Sequence, residues 1–322
     1  MSAGTATSAS RPRLRRLRRV ALGVAALLVA GSPVAAADPA TEVATRALLL
    51  DAQRVGPLLV AVGLGGHILR SADNGASWEL TPTPTRAVLT GVCFPDPQHG
   101  WAVGHDAVIL HTEDGGRTWT KQYQGTDLQV SFLDVHFLDA QTGYVVGAYG
   151  QFLATADGGR TWTPRTILTD DYFLNRISAA ADGTLYLAGE HGTLLRSSDH
   201  GETWQPIRTT YDGSFYGILP LGGARVLAHG LRGSLFLSED RGDTWQAVPQ
   251  DQRVLFATAV RLRSGVIVVA GQARSFAVSR DDGRTFAPWS PGLTTGVAEL
   301  VEAPDGTLLA FGEAGVSRLP AP

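Results

Sequence analysis

Val103 to Thr120 reads V-G-H-D-A-V-I-L-H-T-E-D-G-G-R-T-W-T, and this stretch recurs in variant form seven times along a chain of 322 residues. Its second half, Ser/Thr-x-Asp-x-Gly-x-Ser/Thr-Trp, stands at Ser71–Trp78, Thr112–Trp119, Thr155–Trp162, Ser197–Trp204 and Ser238–Trp245, and a sixth copy, Ser279–Phe286, ends in phenylalanine. The closing aromatics lie 41, 43, 42, 41 and 41 positions apart. A glycine keeps the same step at Gly63, Gly104, Gly147, Gly189, Gly230, Gly271 and Gly312, so a seventh repeat begins and stops before its aspartate motif. Several short strands within a period of about 40 residues are the mark of a propeller or another closed array.

The chemistry of the motif is structural. Val108-Ile109-Leu110 and the residues after Trp119 read as strands, with D-G-G-R-T as a tight hairpin between them. Asp114 is placed to accept backbone N–H groups of its own turn, Gly116 to take a positive φ, and the Thr118 hydroxyl to close the loop, while Trp119 packs over the hairpin. The same roles fall to Asp73 and Trp78, Asp157 and Trp162, Asp199 and Trp204, Asp240 and Trp245, and Asp281 and Phe286. One carboxylate per hairpin cannot fill the six to eight oxygen positions of a calcium ion, so these aspartates are read as scaffold.

In the second repeat the strands are expected at 89–94, 100–103, 107–112 and 118–123. The fold class is therefore all-β: a seven-bladed β-propeller of ~41-residue Asp-box repeats over residues 38–322. The last repeat, from about residue 296, supplies three strands, and residues 39–45 are expected to add the missing outer strand, tying both ends of the chain into one blade. A six-bladed ring with a loose tail is the alternative.

Residues 1–37 contain no acidic residue. Six arginines from Arg11 to Arg19 precede an apolar run over 20–30, and Gly31-Ser32-Pro33 leads to Ala35-Ala36-Ala37. This is the pattern of a signal peptide, expected to be cut after Ala37, with an apolar core shorter than the ~20 residues of a membrane-spanning helix. The chain is thus expected to be exported to the periplasm, with secretion as the alternative. Residues 38–322 carry 21 basic against 30 acidic residues, a formal charge of −9 that disfavours nucleic acid as a partner. The single cysteine, Cys93, sits in L-T-G-V-C-F and reads as a small core residue.

The repeated G-x-x-G-x-x-L-x-T/S-x-D-G-G-x-T-W pattern, with H-G-W-A-V-G at 99–104 and F-x-D-x-x-T-G-Y-V-V-G at 137–147, resembles the Ycf48/HCF136 family of BNR-type seven-bladed propellers over nearly all of residues 38–322. That resemblance implies a photosystem II assembly or stability factor that binds reaction-centre polypeptides. The segments D-Y-F-L-N-R-I at 171–177, Y-D-G-S at 211–214 and G-L-R-G at 230–233 are more similar to relatives in non-photosynthetic bacteria, for which the resemblance implies an accessory role with an envelope transporter.

In a propeller the connections from outer to next inner strand share one face with the turns between second and third strands, and the Asp-boxes lie on the other. The first set is where this sequence stops repeating, and variable polar loops on a rigid frame are where binding concentrates. Arg86, Arg176, Arg232, Arg253 and Arg274 are read as forks for partner carboxylates, and Tyr172, Tyr211, Tyr216 and Trp289 as aromatic anchors. The expected function is a non-catalytic protein-binding scaffold, a monomer without cofactor, reaching the membrane only through its partner.

The competing reading is a glycoside hydrolase or sialidase-like enzyme recruiting Tyr172, Tyr211, Glu190, Asp171, Arg176, Arg232 and Arg274. An axial group of carboxylates with one strongly perturbed member favours that enzyme, whereas an exposed patch of arginine and tyrosine favours binding. His67 with His105 and Asp106 is the one combination for a metal; polar loop histidines are the preferred reading.

Overall fold

The computed structural model describes residues 1–5 and 38–322. The segment read as a signal peptide, including its cleavage site, lies outside the described residues except for the first five. Residues 38–322 fold into seven antiparallel sheets, six of four strands and one of three, each strand hydrogen-bonded to its neighbour in sequence. The inner strands run Leu49–Val55, Leu89–Cys93, Phe132–Phe137, Leu174–Ala179, Phe215–Gly222, Phe256–Arg261 and Val297–Glu302, one to each of blades one to seven. Each packs beside the next, and the last packs beside the first, so the sheets close into a ring. The core lies between blades, where alternate side chains of facing sheets meet; Trp78 of blade one, for instance, sits edge-on to Phe311 of blade seven at 5.8 Å.

The recurrent glycine that ends each second strand has a steric reason. A Cβ at any of Gly63, Gly104, Gly147, Gly189, Gly230, Gly271 and Gly312 would stand within 2.6 Å of a carbonyl oxygen just ahead of the paired inner strand. That close approach accompanies a β-bulge, which recurs in the inner strand of every blade at its second residue.

The six Asp-boxes share one hydrogen-bond pattern. In blade five, Thr244 donates its amide and hydroxyl to the two Asp240 oxygens, the Ser238 hydroxyl donates to Asp240, and the Gly242 amide donates to Ser238. The hydroxyl and amide of the following threonine, with the preceding serine, hold Asp199, Asp240 and Asp281 down to about 2. The glycine of the box takes φ between 76° and 94° in all six. In blade two the fourth strand is Thr120–Gln124, two residues later than expected, because Thr118 is held by Asp114.

Residues 39–45 do not form the expected outer strand. Pro39–Ala44 is a helix, and blade seven keeps the three strands Val297–Glu302, Leu308–Gly312 and Gly315–Leu319. Asp38-Pro39 opens a helix, since proline presets φ for the first turn, and Glu42 sits at the favourable end of its dipole. The segment still joins the ends of the ring. Ala44 is buried with Leu49, Leu69 and Phe311, and the Val316 amide donates to the Thr45 carbonyl at 2.9 Å.

Candidate functional site

The bulge turns the second residue of every inner strand toward the axis, so that Leu50, Thr90, Leu133, Asn175, Tyr216, Ala257 and Ala298 occupy equivalent places. These seven line a cavity of about 370 Å³ at the axial mouth of the loop-rich face. The third residues of the same strands are Asp51, Gly91, Asp134, Arg176, Gly217, Thr258 and Glu299; Asp51, Asp134 and Arg176 reach the cavity, and Arg176, Gly217, Thr258 and Glu299 line a second cavity of about 220 Å³. Asn175 and Tyr216, expected in connections, are strand residues of the mouth.

Arg176 is thereby corrected from a loop residue reaching for a partner to the centre of this layer. Its guanidinium spans the axis to Asp51 of blade one at 2.9 Å and to Glu299 of blade seven at 2.5 Å. Blades one and seven are the pair between which the chain closes its ring, and blade four stands opposite them. The acids have further work. Asp51 accepts the Val92 amide and Asp134 the Ile177 amide, each from the next inner strand, while Glu299 accepts the Thr258 hydroxyl and the Leu300 amide. Gln53, Thr90 and Asn175 likewise bond to the backbone of the following blade. Inner strands are sheet edges, and side chains of the preceding blade satisfy groups that no further strand can reach.

Burial pushes Asp51 up to about 8, with Arg176 pulling against it and Glu299 and Asp134 adding to the rise; the same burial takes Asp134 to about 6. His229, whose ring fills the space beside Gly217 and bonds the Phe256 carbonyl, is pushed down to about 4 by burial. The structure therefore holds an axial acid group with a strongly perturbed member. Unlike a hydrolytic pair, which leaves room for sugar and water between its carboxylates, Asp51 and Glu299 have a guanidinium bonded between them.

Around the mouth, the turns between second and third strands carry positive φ at both central residues in blades one to six, the type I′ geometry. Gly65-Gly66 do this without strain, but the other turns present Asp106-Ala107, Tyr149-Gly150, His191-Gly192, Arg232-Gly233 and Ala273-Arg274. Arg86, Arg232, Arg253 and Arg274 are exposed and make no ion pair or side-chain hydrogen bond among the described residues. On the opposite face Arg165, Arg196, Arg225, Arg241 and Arg284 pair with Glu202, Asp243, Asp282, Asp182 and Glu239, while Arg160 and Arg280 of the Asp-boxes make no ion pair among the described residues.

The aromatic anchors divide. Tyr172 is half-buried on this face, stacked on His191 with centroids 4.5 Å apart. Tyr211 is a strap instead, donating its hydroxyl to the Leu231 carbonyl and packing on Phe215 and Phe236, and Trp289 packs edge-on against Phe276. Tyr149, not singled out from the sequence as an anchor, stands 58% exposed on its turn and abuts Phe173. Its place directly before Gly150, in the turn after Gly147, is the signal the sequence offers. Cys93 is buried, its thiol pushed up to about 12 by burial. Among the described residues no three His, Cys, Asp or Glu side chains gather to hold a metal ion, and no helix is long and apolar enough to cross a membrane.

The chain is similar to solved structures of this architecture. It superposes on one described as YCF48 bound to D1 peptide with a TM-score of 0.71 at 18% identity, covering 86% of this chain and 93% of that one. YCF48 from Cyanidioschyzon merolae gives a TM-score of 0.68 at 17% identity, covering 84% and 94%. In sequence it is 40% identical over 81 residues to the photosystem II stability/assembly factor HCF136 of Cyanidioschyzon merolae, covering 23% of this chain and 18% of that protein. It is 39% identical over 67 residues to the photosystem II assembly lipoprotein Ycf48 of Prochlorococcus marinus, covering 20% of each. The matches thus span about a fifth of these curated relatives. The family model described as photosynthesis system II assembly factor YCF48 matches residues 69–129 and 121–308, most of the ring. The chain belongs to the YCF48 family.

Proposed function

We propose that this protein is a non-catalytic scaffold that holds a polypeptide of a membrane complex on its loop-rich face, as an assembly or accessory factor. The carrying observation is that Arg86, Arg232, Arg253 and Arg274, in the turns and connections of the loop-rich face, are exposed without an ion pair or side-chain hydrogen bond among the described residues, whereas five arginines of the Asp-box face are paired with neighbouring acids and Arg160 and Arg280 there are not. An unpaired guanidinium offers a bidentate fork to a partner carboxylate without first breaking an ion pair. The relatives' names, photosystem II assembly proteins and lipoproteins, support the class of work and an exported setting. In a photosynthetic host the partner is a photosystem II polypeptide; in another, an envelope transporter. The scaffold acts as a monomer in the periplasm after cleavage behind Ala37.

The test is capture of solubilised membrane complexes on the purified protein, with an Arg232→Glu/Arg253→Glu variant of unchanged thermal stability alongside. A complex subunit retained by the wild type and released by the variant supports the reading; equal retention, or none, overturns it. The axial acids favour a second reading, hydrolysis of a glycoside with Asp51 as acid. Release of aryl alcohol from aryl glycosides, abolished by Asp51→Asn in a folded protein, would establish it.

A further inference from the structure

The mouth cavity is off-centre, and the cause lies in two small residues. At the bulge position five blades carry leucine, threonine, asparagine or tyrosine, whereas neighbouring blades six and seven carry Ala257 and Ala298. The space left open extends over blades six, seven and one, where Leu48, Leu50, Leu255 and Val297 wall it. Its volume of about 370 Å³ lies in the range of small binding pockets. The cavity's lining also includes Asp51, Asp134 and Arg176 of the axial charged layer. Arg253 lies two residues before Leu255 and Arg274 two residues after Gln272, both of which line the cavity together with Glu313; the two arginines are exposed and without ion pairs among the described residues.

We propose that this cavity is a specificity pocket for one large apolar side chain of the partner, leucine or phenylalanine in size, carried in a segment whose flanking acidic residues meet Arg253 and Arg274. This rests on the proposed scaffold function and adds the chemistry of the segment it selects. The apolar wall over blades six, seven and one stabilises an apolar group by burial, while the two nearby arginines attract acidic flanks by charge.

Fluorescent peptides with acidic residues flanking a central leucine, phenylalanine, serine or lysine, titrated by anisotropy against the full-length protein, test this. Leucine and phenylalanine peptides are expected to bind about ten- to hundred-fold more tightly than the serine peptide, the worth of burying one such side chain. Ala298→Leu, which fills the hole, is expected to erase that preference. Arg253→Glu/Arg274→Glu weakens all peptides alike. Equal affinity for leucine and serine peptides, both sensitive to the arginines, overturns the pocket and leaves the scaffold reading standing. If no acidic peptide binds at millimolar concentration, or the arginine variant changes nothing, the scaffold reading falls together with the pocket. Ala257→Leu repeats the filling from the adjacent blade, so misfolding of either variant does not decide the outcome.

Discussion

Arg176 of blade four and Asp51 of blade one are joined across the axis at 2.9 Å although 125 residues separate them in the chain. With Glu299 bound to the same guanidinium, one side chain grips both blades at which the ring closes. This contact stands where a shared sheet of the two chain ends was expected. The helix Pro39–Ala44 covers that seam without completing blade seven, so closure rests on the apolar core shared by blades one and seven, on the Val316–Thr45 backbone bond and on the transaxial ion pairs.

Removing the arginine alone should therefore be far worse than removing the whole charged group. Above about pH 8, where Asp51 is ionised, Arg176→Met strands two carboxylates that are 95% and 92% buried in their side chains, and a loss of about 3 kcal/mol is expected in urea unfolding. The triple variant Arg176→Met/Asp51→Asn/Glu299→Gln should recover most of it, because it leaves no unpaired charge. Equal losses in the two proteins would show that the guanidinium contributes packing rather than charge.

The same layer sets a pH dependence. Asp51 and Asp134 have folded values raised above the ordinary carboxylate range, so the folded state holds protons that the unfolded chain releases. Their stabilising contribution is full below about pH 4 and is lost as pH rises through about 6 for Asp134 and about 8 for Asp51. Of the groups facing them, His229 is lowered from 6.5 to about 4 and acts with opposite sign below 6.5, and the Cys93 thiol, pushed to about 12, matters only in alkali. His136, also held down to about 4 by burial, behaves as His229 does. Between about pH 6.5 and 8.5 the fold should lose about 1–2 kcal/mol, and Asp51→Asn should flatten that window. A wild-type stability that rises across it would refute the assignment.

Much of this ring is legible in the sequence, because its information is local and repeated. Asp240, Gly242, Thr244 and Trp245 lie within six positions and close one hairpin, so a single copy specifies the geometry and five more confirm the period. The recurrent Gly230 was visible as a mark, though not its reason, the pressure of the Ser214 carbonyl. What stays hidden is whatever depends on the closed ring. Arg176 is one of 26 arginines, and nothing near it in sequence announces partners in blades one and seven. Likewise Asn175 and Tyr216 reach the mouth through a backbone bulge that side-chain patterning does not encode. The helix Pro39–Ala44 has a local signal, the Asp38-Pro39 start and the acidic first turn, which competes with the period's demand for a fourth strand in blade seven.

Backbone strain supplies a further prediction. Arg274 has φ of 64° at the place where blades one, three, four and five have Gly66, Gly150, Gly192 and Gly233. A side chain there costs about 1 kcal/mol, which glycine relieves in part after its larger unfolded-state entropy is counted. Arg274→Gly should be more stable than Arg274→Ala by about 0.5–1 kcal/mol in thermal unfolding, while both lose the same affinity for an acidic peptide. Greater stability of the alanine variant would mean that the turn relaxes out of its left-handed form once the arginine is gone.

The contrast between the two faces can be separated from net charge. Arg232→Glu/Arg253→Glu and Arg165→Glu/Arg284→Glu change the formal charge equally, yet the first pair is unpartnered on the loop-rich face and the second is ion-paired on the Asp-box face. Exposed pairs contribute little to stability, so both variants should unfold within about 1 kcal/mol of the wild type. Their association with an acidic partner should differ. If the unpaired arginines steer and grip the partner, the first variant slows association and flattens its dependence on ionic strength, whereas the second leaves both unchanged. Net charge acting at a distance would slow the two alike, because the added repulsion is the same. Stopped-flow association at low and high salt distinguishes these cases: a common effect assigns the attraction to the molecule as a whole, and a difference assigns it to the face around the mouth.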